Sequence, residues 1–539
     1  MKNFAEINRA LAAKKTNIVK KIAFCILCFV TLSFSLTGCK EWLTAPEPGQ
    51  VKLEDFFTSK AAALQCINGC YTPLMWEFKR TYSCEWFIGD VVSDDALKGG
   101  QNTTDMGAAY DMENWKTTPR NELLHDFYQS NYIGISRCNL ALTYIPAMKL
   151  DTAFSVKERE EMLGQAYFLR AYYYFRLVRV FGGTPLVTTV LDTNDKWQQP
   201  RATAAAIFDQ ITADLKEAQR RLPKAGQWDA DNKGRATKGA AEAMLLKTYL
   251  YMASPYWNSK ISSGDAADYA KEAKAWGDSV ILSGEYSLCP NYADNFTVEG
   301  ENGQESVFEI QYKEVAWGDY GEGFGYTAGN FTQRLVRSRS ATLTDGDAGW
   351  GFNHPTQNLY DEFETGDPRR DVAILNPDPA KMDNPTEEIY LGSPYLNNKY
   401  GWYGNKIAHD SRGPLNNKQI RYADVLLMYA EACLIVGDAG TAKTYIDQVR
   451  SRVGLTGVPT ADETALRHER RCELAMEGHR WFDLVRWGGT KAHMDAYAAT
   501  ETEEARSHMG TFREGVHEIF PIPVEEIELN PMEQNPGYN

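Results

Sequence analysis

The sequence predicts a mainly all-α protein: a tetratricopeptide-like helical scaffold carrying a loop-rich insertion with minor β content. Three observations predict it. Apolar residues recur at helical spacing through several long segments with capping residues at their starts. Short turns join these segments into helix–turn–helix units, although their period is irregular. Between about residues 286 and 420, glycine, aspartate and aromatic residues replace the periodicity.

The chain opens differently. Residues 1–21 carry six basic side chains and one acidic one, and Ile22–Leu36 follow without a charge. This is the pattern of a secretory signal, and the run is short of the ~20 residues that a spanning helix needs. Its end, Leu36-Thr37-Gly38-Cys39, resembles the lipobox of bacterial lipoproteins. That resemblance implies cleavage before Cys39 and acylation of Cys39, giving a protein anchored to a bilayer by fatty acid chains such as palmitate. The expected organisation is therefore a signal peptide over 1–38, a polar Pro/Gly tether over 39–52 and one body over 53–539.

Helical segments follow in order. Ser155 is placed as an N-cap and Gly182 as a stop, with Met162, Ala166, Leu169, Tyr173, Leu177 and Val180 forming an apolar set between them. A second helix starts at Thr203 and ends before Pro223, with Ile207, Ile211, Leu215, Ala218 and Leu222 in one stripe. Others start at Thr237 and Asp265. "RYADVLLMYAEACLIVG" and "AGTAKTYIDQVRSRVG" are separated only by turn material, and "DETALRHERRCELAMEGHRWFDLVRWG" closes the helical part. In the last stretch Arg480 and Asp483 stand one turn apart and are expected to pair. "FPIP" at 520–523 predicts an extended tail strapped over the body, because its prolines forbid regular structure.

The insertion holds one strand-like run, Ser306–Tyr312, followed by "WGDYGEGFGYTAGNF" and "TLTDGDAGWGFNHP". No helix survives that glycine density. Residues 71–120, around "SDDALKGGQNTTDMG", form a second loop-rich region. Loops on a rigid scaffold are where binding residues concentrate.

Composition narrows the function. Without residues 1–38 the chain holds 51 basic against 71 acidic side chains, a formal charge of −20. Such a surface argues against nucleic acid or anionic lipid as a partner. The 13 Trp, 29 Tyr and 23 Phe suggest stacking surfaces for a neutral ligand, of which sugars are the obvious class. Aromatics set among Gly and Asp without helical periodicity are poorly explained by core packing. The ligand-contact candidates are therefore Trp317, Tyr320, Tyr326 and Trp350 in the insertion, with Trp115 and Asp95 from the earlier loop region.

Catalysis and metals leave no motif. The eight histidines are scattered without His-Glu-x-x-His, and no carboxylate pair is singled out. "GEGFG" at 321–325 lacks the Gly-Lys-Ser/Thr ending of a phosphate loop, and "DGDAG" does not fit a twelve-residue calcium loop. Seven cysteines follow Cys39. Cys66, Cys70 and Cys84 are candidates for pairing in an oxidising compartment, whereas Cys433 and Cys472 sit in apolar helix patterns. No Cys/His cluster stands out, so no structural zinc, other metal or cofactor is expected.

In order along the chain, "LTGC", "QAYFLRAYYYFRLVRVFGGTPLV", "WGDSVILSGEYSL", "ESVFEI", "IRYADVLLMYAEACL", "VRSRVGL", "HERRCELAMEGHRWFDLVRWG" and "FPIPVEEIELNPMEQNPGY" resemble the SusD/RagB-like nutrient-binding outer-membrane lipoproteins. The resemblance covers nearly all of the chain after Cys39. It implies a non-enzymatic receptor at the outer membrane, facing the exterior. Such a receptor binds oligosaccharides, or in some members peptides, and delivers them to a SusC-like TonB-dependent transporter. A lipid-anchored glycoside hydrolase is the alternative from another class.

Overall fold

A computed structural model describes residues 56–538 except 78–83, 192–196, 262–263, 315–328, 402, 404 and 408–412. Ten helices carry the body: α1 (Lys60–Tyr71), α2 (Glu122–Tyr144), α3 (Val156–Phe181), α4 (Ala204–Arg221), α5 (Lys238–Ala253), α6 (Ala266–Leu282), α7 (Tyr422–Ile435), α8 (Ala439–Arg452), α9 (Glu463–Leu474) and α10 (Arg480–Trp487). From α1 to α8 each packs on the next in chain order, and α9 packs on α7. This serial stacking is the arrangement that the short turns predict. None of the described helices is long and apolar enough to cross a membrane.

Local chemistry fixes the helix ends. Ser155 accepts from the Glu158 N–H while Glu158 accepts from the Ser155 N–H, a full capping box. Thr203, Thr237 and Asp265 cap α4, α5 and α6 through their side chains. The apolar sets of α3 and α4 are buried as their spacing predicts. α3 goes further, since nearly every residue from Met162 to Phe181 is buried, including Arg170, Arg176 and Arg179. Helices on several sides cover it, so its charged groups find internal partners. Arg170 forks onto Asp214 of α4 at 2.8 and 2.7 Å, and Arg176 and Arg179 both reach Glu85.

Four short strands organise the irregular half: β1 (Ala96–Gly99), β2 (Ser306–Ile310), β3 (Phe352–Pro355) and β4 (Asn417–Arg421). β2 realises most of the predicted Ser306–Tyr312 run. It pairs antiparallel with β4, Ile310 facing Asn417 and Ser306 facing Arg421. This closes the insertion at its neck, and β4 feeds directly into α7. Arg421 occupies the neck at 1% exposure, bonded to Glu305, Glu473 and Glu477. Arg452 and Arg369 complete the cluster from α8 and the insertion.

Two expectations need correction. Arg480 does not pair with Asp483: it forks onto Asp94 at 2.7 and 2.9 Å, and Asp483 is taken by Arg470 and Arg486. Packing of α10 against the loop region offers a better partner than the helix itself. Cys66, Cys70 and Cys84 remain thiols, like the other described cysteines. Cys70 lies one turn from Cys66 and donates to its carbonyl. Glu431 bonds across helices, to Arg486 and to Trp487 Nε1. The "FPIP" segment is an extended strap, its Phe520 N–H donating to Val180 O at the end of α3.

Candidate functional site

β1 and β3 pair antiparallel, Ala96 opposite Pro355, Leu97 opposite His354 and Gly99 opposite Phe352. The pairing joins the two loop-rich regions. The loop leaving β1 and the loop entering β3 thereby meet at one edge, forming a rim. Glycine is required at this junction. Gly99 has φ +76°, and a Cβ there would lie 2.4 Å from the Gly351 carbonyl oxygen.

Lys98 fastens the first loop. Its buried ammonium donates to the carbonyls of Gly99, Asn102 and Asp105 at 2.6, 3.0 and 2.7 Å and lies near the rings of Phe352 and Tyr390. Burial lowers its pKa to about 8, against the pull of Glu113 and Asp105. Asn102 adds an Asx-type turn, its Oδ1 accepting from Thr104 N and Oγ1 and from Asp105 N. Gln101 and Asn102 stand exposed on this pinned turn.

Arginines fasten the second loop. Arg337 donates to the carbonyls of Asp347, Gly401 and Asn405 at 2.9, 2.8 and 2.9 Å. Arg334 holds the Asp347 carboxylate at 2.7 Å, whose other oxygen accepts from Ile407 N. Trp350 ends the loop, next to β3. Its N–H donates to Arg334 O at 3.0 Å, and its half-buried ring meets Phe331 edge-on at 5.2 Å.

Of the expected contact residues, Trp350 stands on this rim. Trp317, Tyr320 and Tyr326 lie outside the described residues, as does the expected lipidation site Cys39. Trp115 and Asp95 are placed elsewhere. Trp115, at φ +56°, packs among Trp481, Phe512 and His517. Asp95 is 1% exposed and accepts from Arg471 Nε of α9 at 2.8 Å. Spacing does not reveal these partners, which come from the other end of the chain. The anchors Lys98, Arg334 and Arg337 escape sequence reasoning as well, although the composition of "LKGGQNTTD" marks a turn.

The rim suits recognition better than bond cleavage. It offers an aromatic ring beside short amide and hydroxyl side chains on loops held by buried cations, which is how a neutral polyhydroxylated ligand is gripped. Nearby carboxylates serve the fold. Asp94 is matched to Arg471, Arg480 and His493. Asp90, buried beside Asp95, is pushed up to about 7 and accepts from Gly478 N and Asn353 Nδ2.

Comparison with known proteins gives a consistent result. A model described as "SusD family" matches residues 304–538, and one described as "Starch-binding associating with outer membrane" matches residues 46–250. A SusD-like protein of Bacteroides ovatus is 26% identical, covering 86% of this chain and 82% of its own. A solved laminarin-binding SusD-like protein is 28% identical with a TM-score of 0.74, covering 89% of this chain and 100% of its own. The surface glycan-binding protein A of Bacteroides thetaiotaomicron, solved with laminarihexaose, shares the fold at TM-score 0.73 and 24% identity, covering 89% of this chain and all of its own.

Proposed function

Because this chain belongs to the SusD/RagB-like family, we propose that its mature form is a surface receptor that binds neutral oligosaccharides at the β1–β3 rim. It is anchored in the outer membrane through lipid on Cys39 and passes its ligand to a SusC-like TonB-dependent transporter. It does not cleave what it binds. Trp350, with Trp317, Tyr320 and Tyr326, supplies the stacking surface.

The observation that carries this reading is the end-to-end likeness to a laminarin-binding SusD-like protein, together with a rim whose aromatic and amide groups sit on pinned loops. The family description "associating with outer membrane" supports the location, and the acidic body favours uncharged glycans over anionic ones. The test is calorimetric titration of the chain from residue 40 with laminari- and malto-oligosaccharides, followed by analysis of the recovered sugar. Saturable binding with intact sugar supports the proposal. Shortened products would make the protein a hydrolase. Replacing Cys39 by Ala in cells is expected to move the protein out of the membrane fraction.

A further inference from the structure

Behind the neck of the insertion, a second cluster combines sulfur, imidazole and carboxylate. His468 and Cys472 are spaced i, i+4 on α9 and share one face. Against them lies the end of a short helix, Gln357–Glu362, with Glu364 just beyond it. A carboxylate oxygen of Glu362, a ring nitrogen of His468 and Cys472 Sγ all lie within 4.8 Å of one another. His468 Nδ1 contacts Glu362 Oε1 at 2.6 Å. On the other side of the ring, Nε2 is 3.3 Å from Glu364 Oε1 and 4.0 Å from Cys472 Sγ.

We propose that His468 Nε2 and Cys472 Sγ bind a zinc ion, joined by a Glu364 carboxylate oxygen that turns towards Cys472 from its place 3.3 Å from Nε2, with Glu362 orienting the imidazole through Nδ1. Bonds of about 2.1 Å to nitrogen and 2.3 Å to sulfur at a tetrahedral angle require N and S about 3.6 Å apart. The observed 4.0 Å is a small side-chain adjustment away. The outer carboxylate on the non-ligating ring nitrogen is the arrangement that fixes tautomer and ring direction at metal sites. A mixed N/S/O set favours zinc over calcium or magnesium, which take oxygen ligands. An entry path exists, because the His468 and Glu364 side chains are 27% and 42% exposed.

Two guanidinium groups oppose the ion. Arg450 holds Glu364 and Arg471 holds Glu362. Arg450 keeps a second, buried acceptor, Glu469, when the metal takes Glu364, and Arg471 keeps both Glu362 and Asp95. Binding releases the Cys472 thiol proton and the proton on Nε2, so affinity rises with pH. An ion here would tie the insertion to α9 independently of the glycan rim.

The experiment is equilibrium dialysis of the folded chain against zinc, with metal counted by mass spectrometry, and a parallel cobalt titration followed by absorption. One zinc per chain and a thiolate-to-cobalt charge-transfer band are expected. His468→Gln and Cys472→Ala should each weaken zinc at least tenfold, and Cys472→Ala should abolish the band. Cys472 is buried, so far-ultraviolet circular dichroism checks its fold, and the partly exposed His468→Gln decides if that variant unfolds. No stoichiometric zinc on the folded chain, or equal affinity in His468→Gln, overturns the site.

Discussion

Gly99 faces Phe352 across the β1–β3 pair, and this one contact aligns two loops that are far apart in sequence. If the rim depends on that junction, Gly99→Ala should damage it from two directions. The φ of +76° disfavours any Cβ, and the Gly351 carbonyl occupies the space. The expected cost is about 1–3 kcal/mol, read by urea unfolding, with a larger proportional loss of glycan affinity than of stability.

Trp350 should behave in the opposite way. Its ring is half-buried and its backbone holds the loop, so Trp350→Ala should cost little stability. Loss of a stacking anchor is worth about 2 kcal/mol, close to thirtyfold in affinity. Trp350→Phe should recover part of it in the same titration.

Removal of Arg421 should threaten the fold itself. It would leave Glu305, Glu473 and Glu477 buried around the neck with one guanidinium fewer. Arg421→Met is expected to cost about 3–5 kcal/mol, whereas Lys271→Met at an exposed pair on α6 should leave stability essentially unchanged. Chemical denaturation of the two variants side by side gives the comparison.

Acid should unfold the protein partly through Glu85. Burial alone would raise its pKa, but Arg179 and Arg176 hold it at about 2. The unfolded value is about 4.5, so its stabilisation is complete above that pH and is lost as pH falls towards 2. Glu85→Gln should be less stable than the parent at pH 7 and show a shallower decline in acid.

Asp90 carries the reverse sign. Its folded value of about 7 exceeds its unfolded value of about 4, so it withdraws stability as pH rises between the two. Asp90→Asn should flatten that decline and match or exceed the parent at pH 8. The buried Asn353 Oδ1, which lacks a partner among the described residues, can turn to accept from the new amide. Thermal unfolding from pH 5 to 8 reads the difference.

How much of this is legible in the sequence depends on the range of each interaction. Caps at Ser155, Thr203, Thr237 and Asp265 and the stripes of α3 and α4 are local, and spacing alone places them. The strap at Phe520–Pro523 is legible because proline excludes regular structure. Partners are not legible where they join distant segments. Arg480 prefers Asp94 to the adjacent Asp483, and Asp95 meets Arg471. Tertiary burial brings these full charges together, and each buried carboxylate is matched by a guanidinium from another segment. Trp115 shows the same limit from the apolar side: its loop setting gives no hint of Trp481 and Phe512, against which its half-buried ring packs.

The most direct test of the central claim is calorimetry with oligosaccharide on the parent chain and on Trp350→Ala, both confirmed folded. Saturable heat from at least one neutral glycan, weakened roughly thirtyfold in the variant, is the expected outcome. Equal affinity in both proteins, or no saturable heat from any glycan, would contradict a receptor that grips sugar at the β1–β3 rim.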